Sequence, residues 1–289
     1  MLDQAESLRR LINNENVNKR EQNSPKIITV TSGKGGVGKS NFVVNLGISL
    51  QKKGKKVLIF DADIGMGNDD VLMGVYPRYS LFDVIKGKEI EDIIEEGPYG
   101  IKLLAAGSGI NQIEDLNEED RTVFLSKLES LEGFDYILMD TGAGINRSVL
   151  AFIACCEKVI IVTTPEPTSL TDAYSLVKAT DHFKIKNKAK VLVNKAFTKT
   201  EGEETFNKFK SAVDRFLKLE VNYLGCILED RKLVQGVREQ VPFVISYPNS
   251  DAAKGIEEIS RTLIEGEIFD KQKDYGAKKL FKKLFGLFS

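Results

Sequence analysis

Apolar positions along this chain switch between two spacings. Short runs of β-branched and other apolar residues at 27–31, 57–60, 101–104, 136–139, 159–162, 191–193 and 224–228 predict strands. Between them, the stretches 41–53, 118–131, 169–183 and 205–219 carry apolar residues at the three- and four-residue spacing of amphipathic helices. Strands that read as nearly continuous apolar segments are covered on both faces, and strand–helix alternation joins parallel neighbours. The pattern predicts an α/β fold, a mostly parallel, doubly wound sheet flanked by helices. No internal repeat and no linker interrupts it between residues 26 and 266, so one domain is expected there.

The two ends follow a different rule. Leu2, Ala5, Leu8, Leu11 and Ile12 fall on one face of a short helix, followed by a polar stretch, 13–24, closed by Pro25. Residues 1–25 therefore form an appendage, a helix on a flexible linker. At the other end, 267–273 is polar. Lys278, Lys279, Lys282 and Lys283 then alternate in pairs with Leu280, Phe281, Leu284 and Phe285, followed by Leu287 and Phe288. The apolar residues share one helical face and the lysines the other. Residues 267–289 thus predict a linker and an interfacial helix, with Leu and Phe entering the acyl boundary of an anionic membrane. Each lysine near the headgroups adds about 1 kcal/mol.

Composition alters this picture only locally. Over 289 residues, 41 Lys+Arg meet 42 Asp+Glu for a net charge of -1. That near-balance argues against a protein that coats nucleic acid through excess cations, so no specific nucleic-acid partner is expected. The average conceals the tail, where residues 271–289 hold six lysines and one aspartate. Hydrophobic residues at 42% are enough for a sizeable core. No apolar run approaches the ~20 residues of a membrane span, and the N-terminus lacks a signal-peptide pattern. Three cysteines are too few for a disulfide framework; Cys155 and Cys156 read as core, and His182 as structural. A cytoplasmic protein lying peripherally on the inner face of the cell membrane is the expectation.

Candidate chemistry begins after the first strand. Gly33-Lys34-Gly35-Gly36-Val37-Gly38-Lys39-Ser40 has the spacing of a P-loop, preceded by a strand and followed by a helical pattern from Asn41. Glycines let successive N–H groups converge on phosphate oxygens, and a helix N-terminus adds positive potential. Lys39 is placed to reach the β- and γ-phosphates of a nucleotide, and the Ser40 hydroxyl to ligate Mg²⁺. Strand 57–60 runs into Asp61 and Asp63, two residues apart and so on one side if the strand continues. Strand 136–139 ends in Asp140-Thr141-Gly142-Ala143-Gly144, and strand 191–193 in Asn194-Lys195. Carboxylates at the C-terminal ends of strands face the ligand crevice of an open α/β sheet.

The Lys34-Gly35-Gly36-Val37-Gly38-Lys39-Ser40 run resembles the deviant Walker A signature of the MinD/ParA class of P-loop ATPases. The resemblance implies an ATP-dependent homodimer in which Lys34 reaches the partner's phosphates, supplying in trans the charge of an arginine finger. It implies that Asp63 orients or activates the attacking water, while Asp61 and Asp140 lie near Mg²⁺ and its waters. The class usually has proline where this chain has Gly142, a departure that loosens the switch loop and leaves Asp140 in place. Asn194 is implied to recognise adenine, and no Asn-Lys-x-Asp signature of classical GTPases follows it; Glu229 falls in a loop that closes over the base.

Asp3-Gln4-Ala5-Glu6-Ser7-Leu8-Arg9 is similar to the Asp-Gln-Ala-x-x-Leu-Arg motif of the FlhG (YlxH, FleN) family, MinD-like regulators of flagellar number and placement. That similarity implies that Asp3, Gln4, Ala5, Leu8 and Arg9 activate an FlhF-type GTPase, and that flagellar C-ring proteins are partners. The tail is similar to the membrane-targeting helix of MinD proteins. Two related functions share the P-loop features: a MinD-type division-site ATPase, which has no use for 3–9, and a ParA-type DNA segregation ATPase, which has no use for the tail. A related iron–sulfur carrier would need a Cys-x-x-Cys pair, which is lacking here.

Overall fold

The computed structural model describes residues 25–63, 67–84, 86–105, 107, 131 and 133–266. The motif at 3–9, the tail at 278–288 and the expected helix at 118–131, apart from Leu131, lie outside these residues. The strands are β1 (Lys26–Ser32), β2 (Val57–Ala62), β3 (Ile94–Glu96), β4 (Lys102–Ala105), β5 (Tyr136–Ala143), β6 (Lys158–Thr163), β7 (Lys188–Ala196) and β8 (Glu220–Leu228). They form one sheet in the order β3-β4-β2-β5-β1-β6-β7-β8. Every pairing is parallel except β3 with β4 at one edge. The doubly wound architecture expected from the sequence is the one observed.

Alternation along the central strands explains why they read as continuous apolar runs. On β1, β5, β6 and β7, Ile27, Ile137, Met139, Val159, Ile161, Val191 and Val193 enter one core. Ile28, Val30, Tyr136, Leu138, Ile160, Val162 and Leu192 enter the other. Each strand has no solvent face, so period-2 patterning has nothing polar to show.

The first core is closed by α4 (Arg147–Cys155), α5 (Pro167–His182) and α6 (Lys199–Phe216). The second is closed by α1 (Lys39–Lys52), α2 (Asp69–Met73), α8 (Phe243–Ser246) and α9 (Asp251–Glu265). Two further helices, α3 (Ile90–Ile93) and α7 (Arg231–Glu239), complete the described set alongside two 3-10 turns. Helix α1 is buried continuously from Phe42 to Leu50, because it lies between the sheet and α8 and α9. Asn45 on this helix accepts a hydrogen bond from the Val244 N–H at 3.1 Å, tying α8 to it. Cys155 and Cys156 are core residues at the end of α4, as expected.

From β1 the chain passes to β2, out to the edge strand β3 and back through β4. It then lays β5 between β2 and β1 before reversing to build β6, β7 and β8 on the other side. Ligands of such sheets bind beyond the carboxyl ends of the strands at this reversal. Ser32, Asp61, Asp140 and Asn194 all sit at that end.

Candidate nucleotide site

The loop after β1 is held from three sides. Gly33 packs so closely on α5 that a Cβ there would lie 2.2 Å from the Asp172 carbonyl. Gly38 has φ +88°, a backbone conformation that strains any side chain. A Cβ at Gly38 would also fall 2.3 Å from Asn194 Nδ2. Asn194, nearly fully buried, donates from that Nδ2 to the Val37 carbonyl at 2.7 Å, and its Oδ1 accepts the Lys195 N–H. The Lys195 ammonium donates to the Gly36 carbonyl at 2.9 Å. The Asn194 amide, implied by resemblance to read adenine, is here a brace on the loop.

Helix α1 starts at Lys39, capped by no side chain and with no acidic residue in its first turn. Its first N–H groups therefore point into the loop without an internal partner, the arrangement that binds phosphate. Lys39 Nζ lies 2.6 Å from Asp140 Oδ1, and both side chains are buried. Burial pushes the Asp140 carboxyl up, against the pull of Lys39 and a hydrogen bond from Ser40. Ser40, Lys39 and Asp140 are thus brought together at the start of α1.

Asp61 sits on the neighbouring strand, paired in register with Asp140. Burial and the proximity of Asp140 push its carboxyl up to about 7, opposed by hydrogen bonds from the Asp63 and Asp69 N–H groups at 3.2 and 3.3 Å. Strand β2 stops at Ala62, so Asp63 does not continue the alternation. Its carboxylate instead lies over Gly142, where an added Cβ would come within 3.1 Å of Oδ1.

Lys34 turns away from its own loop. Its Nζ is 3.1 Å from Glu166 Oε2 and 3.1 Å from Thr168 Oγ1, at the start of α5. The side chains of Lys34 and Glu166 are substantially exposed, at 40% and 63%. The Lys34 carbonyl accepts a hydrogen bond from the Ser32 hydroxyl. A lysine so placed faces outward from the loop. Asn41 adjoins the site through α1, its carbonyl accepting from Asn45 at 2.8 Å. Glu229 is exposed beyond β8, joined by its N–H to the Ala196 carbonyl.

Four residues of the site were not read from the sequence. Glu166 and Thr168 lie more than 130 positions from Lys34. Lys195 presents no pattern until the strand end places it on the loop. Asp69 looks like an ordinary first-turn acid of a short helix, yet it is fully buried beside Asp61 and Asp140.

The donors present suit a magnesium nucleotide. They are all hard oxygens, Ser40, Asp61 and Asp140, and buried carboxylate oxygens of Asp69 have no hydrogen-bond donor. Among the described residues, no three carboxylate, thiol or imidazole groups converge to enclose a metal by themselves.

A doubly wound parallel sheet with a P-loop at its central strand, acidic groups on the adjacent strand ends and a second lysine in the loop defines a P-loop ATPase of the MinD/ParA type. A family model described as an AAA domain matches residues 25–193. The chain is 35% identical over 238 residues to the antiactivator FleN of Pseudomonas aeruginosa, covering 82% of this chain and 85% of that one. It is 37% identical to the flagellum site-determining protein YlxH of Helicobacter pylori, covering 98% of both. The septum site-determining protein MinD of Pyrococcus horikoshii, solved with Mg-ADP, superposes with a TM-score of 0.65 at 25% identity, covering 86% of this chain and all of that one. The chain belongs to the MinD-like family of P-loop ATPases, in the branch that holds FleN and YlxH.

Proposed function

We propose that this protein is an ATP-dependent switch that regulates flagellar number and placement. In this reading it hydrolyses ATP to ADP and phosphate, dimerises and binds the membrane with ATP, and reverses both on hydrolysis. The observation that carries it is the grouping of Lys39, Ser40, Asp61, Asp63 and Asp140 at one end of the sheet, with Lys34 facing outward from the same loop. The flagellar role is supported by the names of the FleN and YlxH relatives.

The residues divide the work by position. The loop N–H groups and Lys39 bind the phosphates, for which Lys39 leaves Asp140. Asp140, Asp61 and Ser40 hold Mg²⁺ and its waters, and the ion, when bound, neutralises charge on the phosphate oxygens. Asp63, above Gly142, orients the attacking water. Lys34 leaves Glu166 and Thr168 to meet the partner subunit's nucleotide, so the active centre is complete only in the dimer. Asn41, Asn194 and Glu229 line the nucleotide's surroundings.

The two ends carry the output. The helix of residues 1–25, through Asp3, Gln4, Ala5, Leu8 and Arg9, activates an FlhF-type GTPase. The tail of residues 267–289 takes the dimer to an anionic membrane, two weak helices acting together. Flagellar C-ring proteins are the further partners of this switch. No described helix is long and apolar enough to cross a membrane, which suits a peripheral attachment through the tail.

Liposome sedimentation with ATP and with ADP, using the full chain and a chain ending at residue 274, tests this reading. The full chain is expected to pellet with anionic vesicles only with ATP, and the shortened chain with neither nucleotide. Equal pelleting with ATP and ADP contradicts the switch.

A further inference from the structure

Asp69 is fully buried at the start of α2, and neither of its carboxylate oxygens has a hydrogen-bond donor. Its backbone N–H is given to Asp61 Oδ2 at 3.3 Å, which fixes the residue beside that carboxylate. Burial, then the nearby charges of Asp140 and Asp61, push its carboxyl well above the ordinary carboxylate range. A buried carboxylate that meets no donor requires either a proton or a cation beside it.

Helix geometry does not account for the residue. Asp70, next in the chain and less buried, already accepts the Val71 N–H at 2.7 Å and supplies a first-turn negative charge. The flanking α2 residues Leu72 and Met73 enter the core. An apolar side chain at 69 would have extended that core at no desolvation cost.

The charge balance changes when a nucleotide arrives. Lys39 is the ammonium facing Asp69, and it is held by Asp140. Once phosphates claim Lys39, Asp140 and Asp69 lose that counter-charge together, with Asp61 beside them. A hydrated divalent cation restores it, and the bound waters supply the donors that the Asp69 oxygens lack.

We propose that Asp69 is a third acidic group of the magnesium pocket, accepting hydrogen bonds from waters of the ion's shell behind Asp61 and Asp140. The proposal rests on the reading of this site as one for a magnesium nucleotide. Asp69 acts through water, so it is a positioning residue: it strengthens the coupling between Mg²⁺ and nucleotide.

Fluorescent ADP binding, titrated with Mg²⁺ from an EDTA-treated start, tests this on full-length wild type, Asp69→Asn and Asp69→Leu. Both substitutions remove an unpaired buried carboxylate, so the nucleotide-free fold is expected to keep or gain thermal stability, checked by Tm in the same buffers. The two variants are expected to bind ADP in EDTA within about twofold of wild type, and to need at least about tenfold more Mg²⁺ for half of its effect. An unchanged Mg²⁺ requirement in either folded variant overturns the proposal, leaving Asp69 and Asp140 to share a proton. Wild-type protein that binds ADP neither in EDTA nor in Mg²⁺ overturns the nucleotide-site reading and this proposal with it.

Discussion

The ammonium of Lys39 and the carboxylate of Asp140 form a buried ion pair at 2.6 Å, joining the P-loop to the end of the adjacent strand. Breaking a buried pair by removing one partner costs about 3–5 kcal/mol, because the other charge stays behind. The two partners are not equivalent, since Asp140 has Asp61 and Asp69 beside it. Lys39→Ala leaves three clustered carboxylates without an ammonium, and a Tm loss on the order of 10 °C is expected for the nucleotide-free protein. Asp140→Asn relieves part of the like-charge repulsion, so its loss should be less than about half as large. Equal losses in thermal denaturation would show that the pair alone, and not the acidic cluster, sets stability.

Asp61 makes stability depend on pH in an unusual direction. Its folded-state carboxyl is held at about 7 by burial and Asp140, against about 4 in an unfolded chain. The folded protein therefore binds more protons than the unfolded one across that window. The group's stabilising contribution is full below about pH 4 and is lost as the pH rises through 7. Asp61→Asn removes this dependence. At about pH 8 it should melt above wild type, by an amount on the order of 2–4 kcal/mol, and the difference should shrink towards pH 4. A variant that melts at or below wild type at the higher pH contradicts the assignment.

The outward pair of Lys34 with Glu166 and Thr168 is a weak hold. Exposed ion pairs contribute about 0–1 kcal/mol, so Lys34→Ala and Glu166→Gln should each move the Tm by no more than about 2 °C. Turnover should separate them. In the proposed dimer Lys34 supplies charge to the transferred phosphate, so ATP hydrolysis by Lys34→Ala is expected to fall by about 10³-fold. Glu166→Gln frees Lys34 and should favour the ATP-bound dimer by at most about fivefold, the equivalent of 1 kcal/mol. ATPase rates measured against protein concentration check both.

Asn194 and Gly38 act as one contact. Gly38→Ala puts a Cβ against Asn194 Nδ2 and strains a left-handed backbone, so loss of nucleotide binding by at least about tenfold is expected. Asn194→Ala removes the brace on Val37 and should weaken ADP and GDP to a similar degree, by about 1–3 kcal/mol. Loss confined to the adenine nucleotide would instead establish base recognition by Asn194, as the sequence resemblance implies.

What was legible in the sequence follows from what each feature depends on. The central parallel strands β1, β2, β5, β6 and β7 are readable because burial on both faces leaves uninterrupted apolar runs. The parallel edge strand β8 is readable only over its apolar end, 224–228. The edge strand β3, three residues long and antiparallel, carries no such signal. Lys39, Ser40, Asp61 and Asp140 could be placed because their roles depend on position at a strand end or a loop. Asp69, Glu166, Thr168 and Lys195 could not, because their roles arise from contacts made only after winding. Helix α9 was readable in principle, since Ala252, Ile256, Ile259 and Leu263 are spaced on one face. Helix α7 was not, since Gly236 is its only buried residue.

Dimerisation through a completed active centre is the central claim, and the Asp63→Ala protein tests it most directly. Without the residue that orients the attacking water, ATP should remain bound and hold two subunits together. Size-exclusion chromatography with light scattering in Mg²⁺ should give about twice the 32.2 kDa chain mass with ATP, and the mass of one chain with ADP. A single-chain mass with both nucleotides, with ATP binding confirmed, would contradict the account.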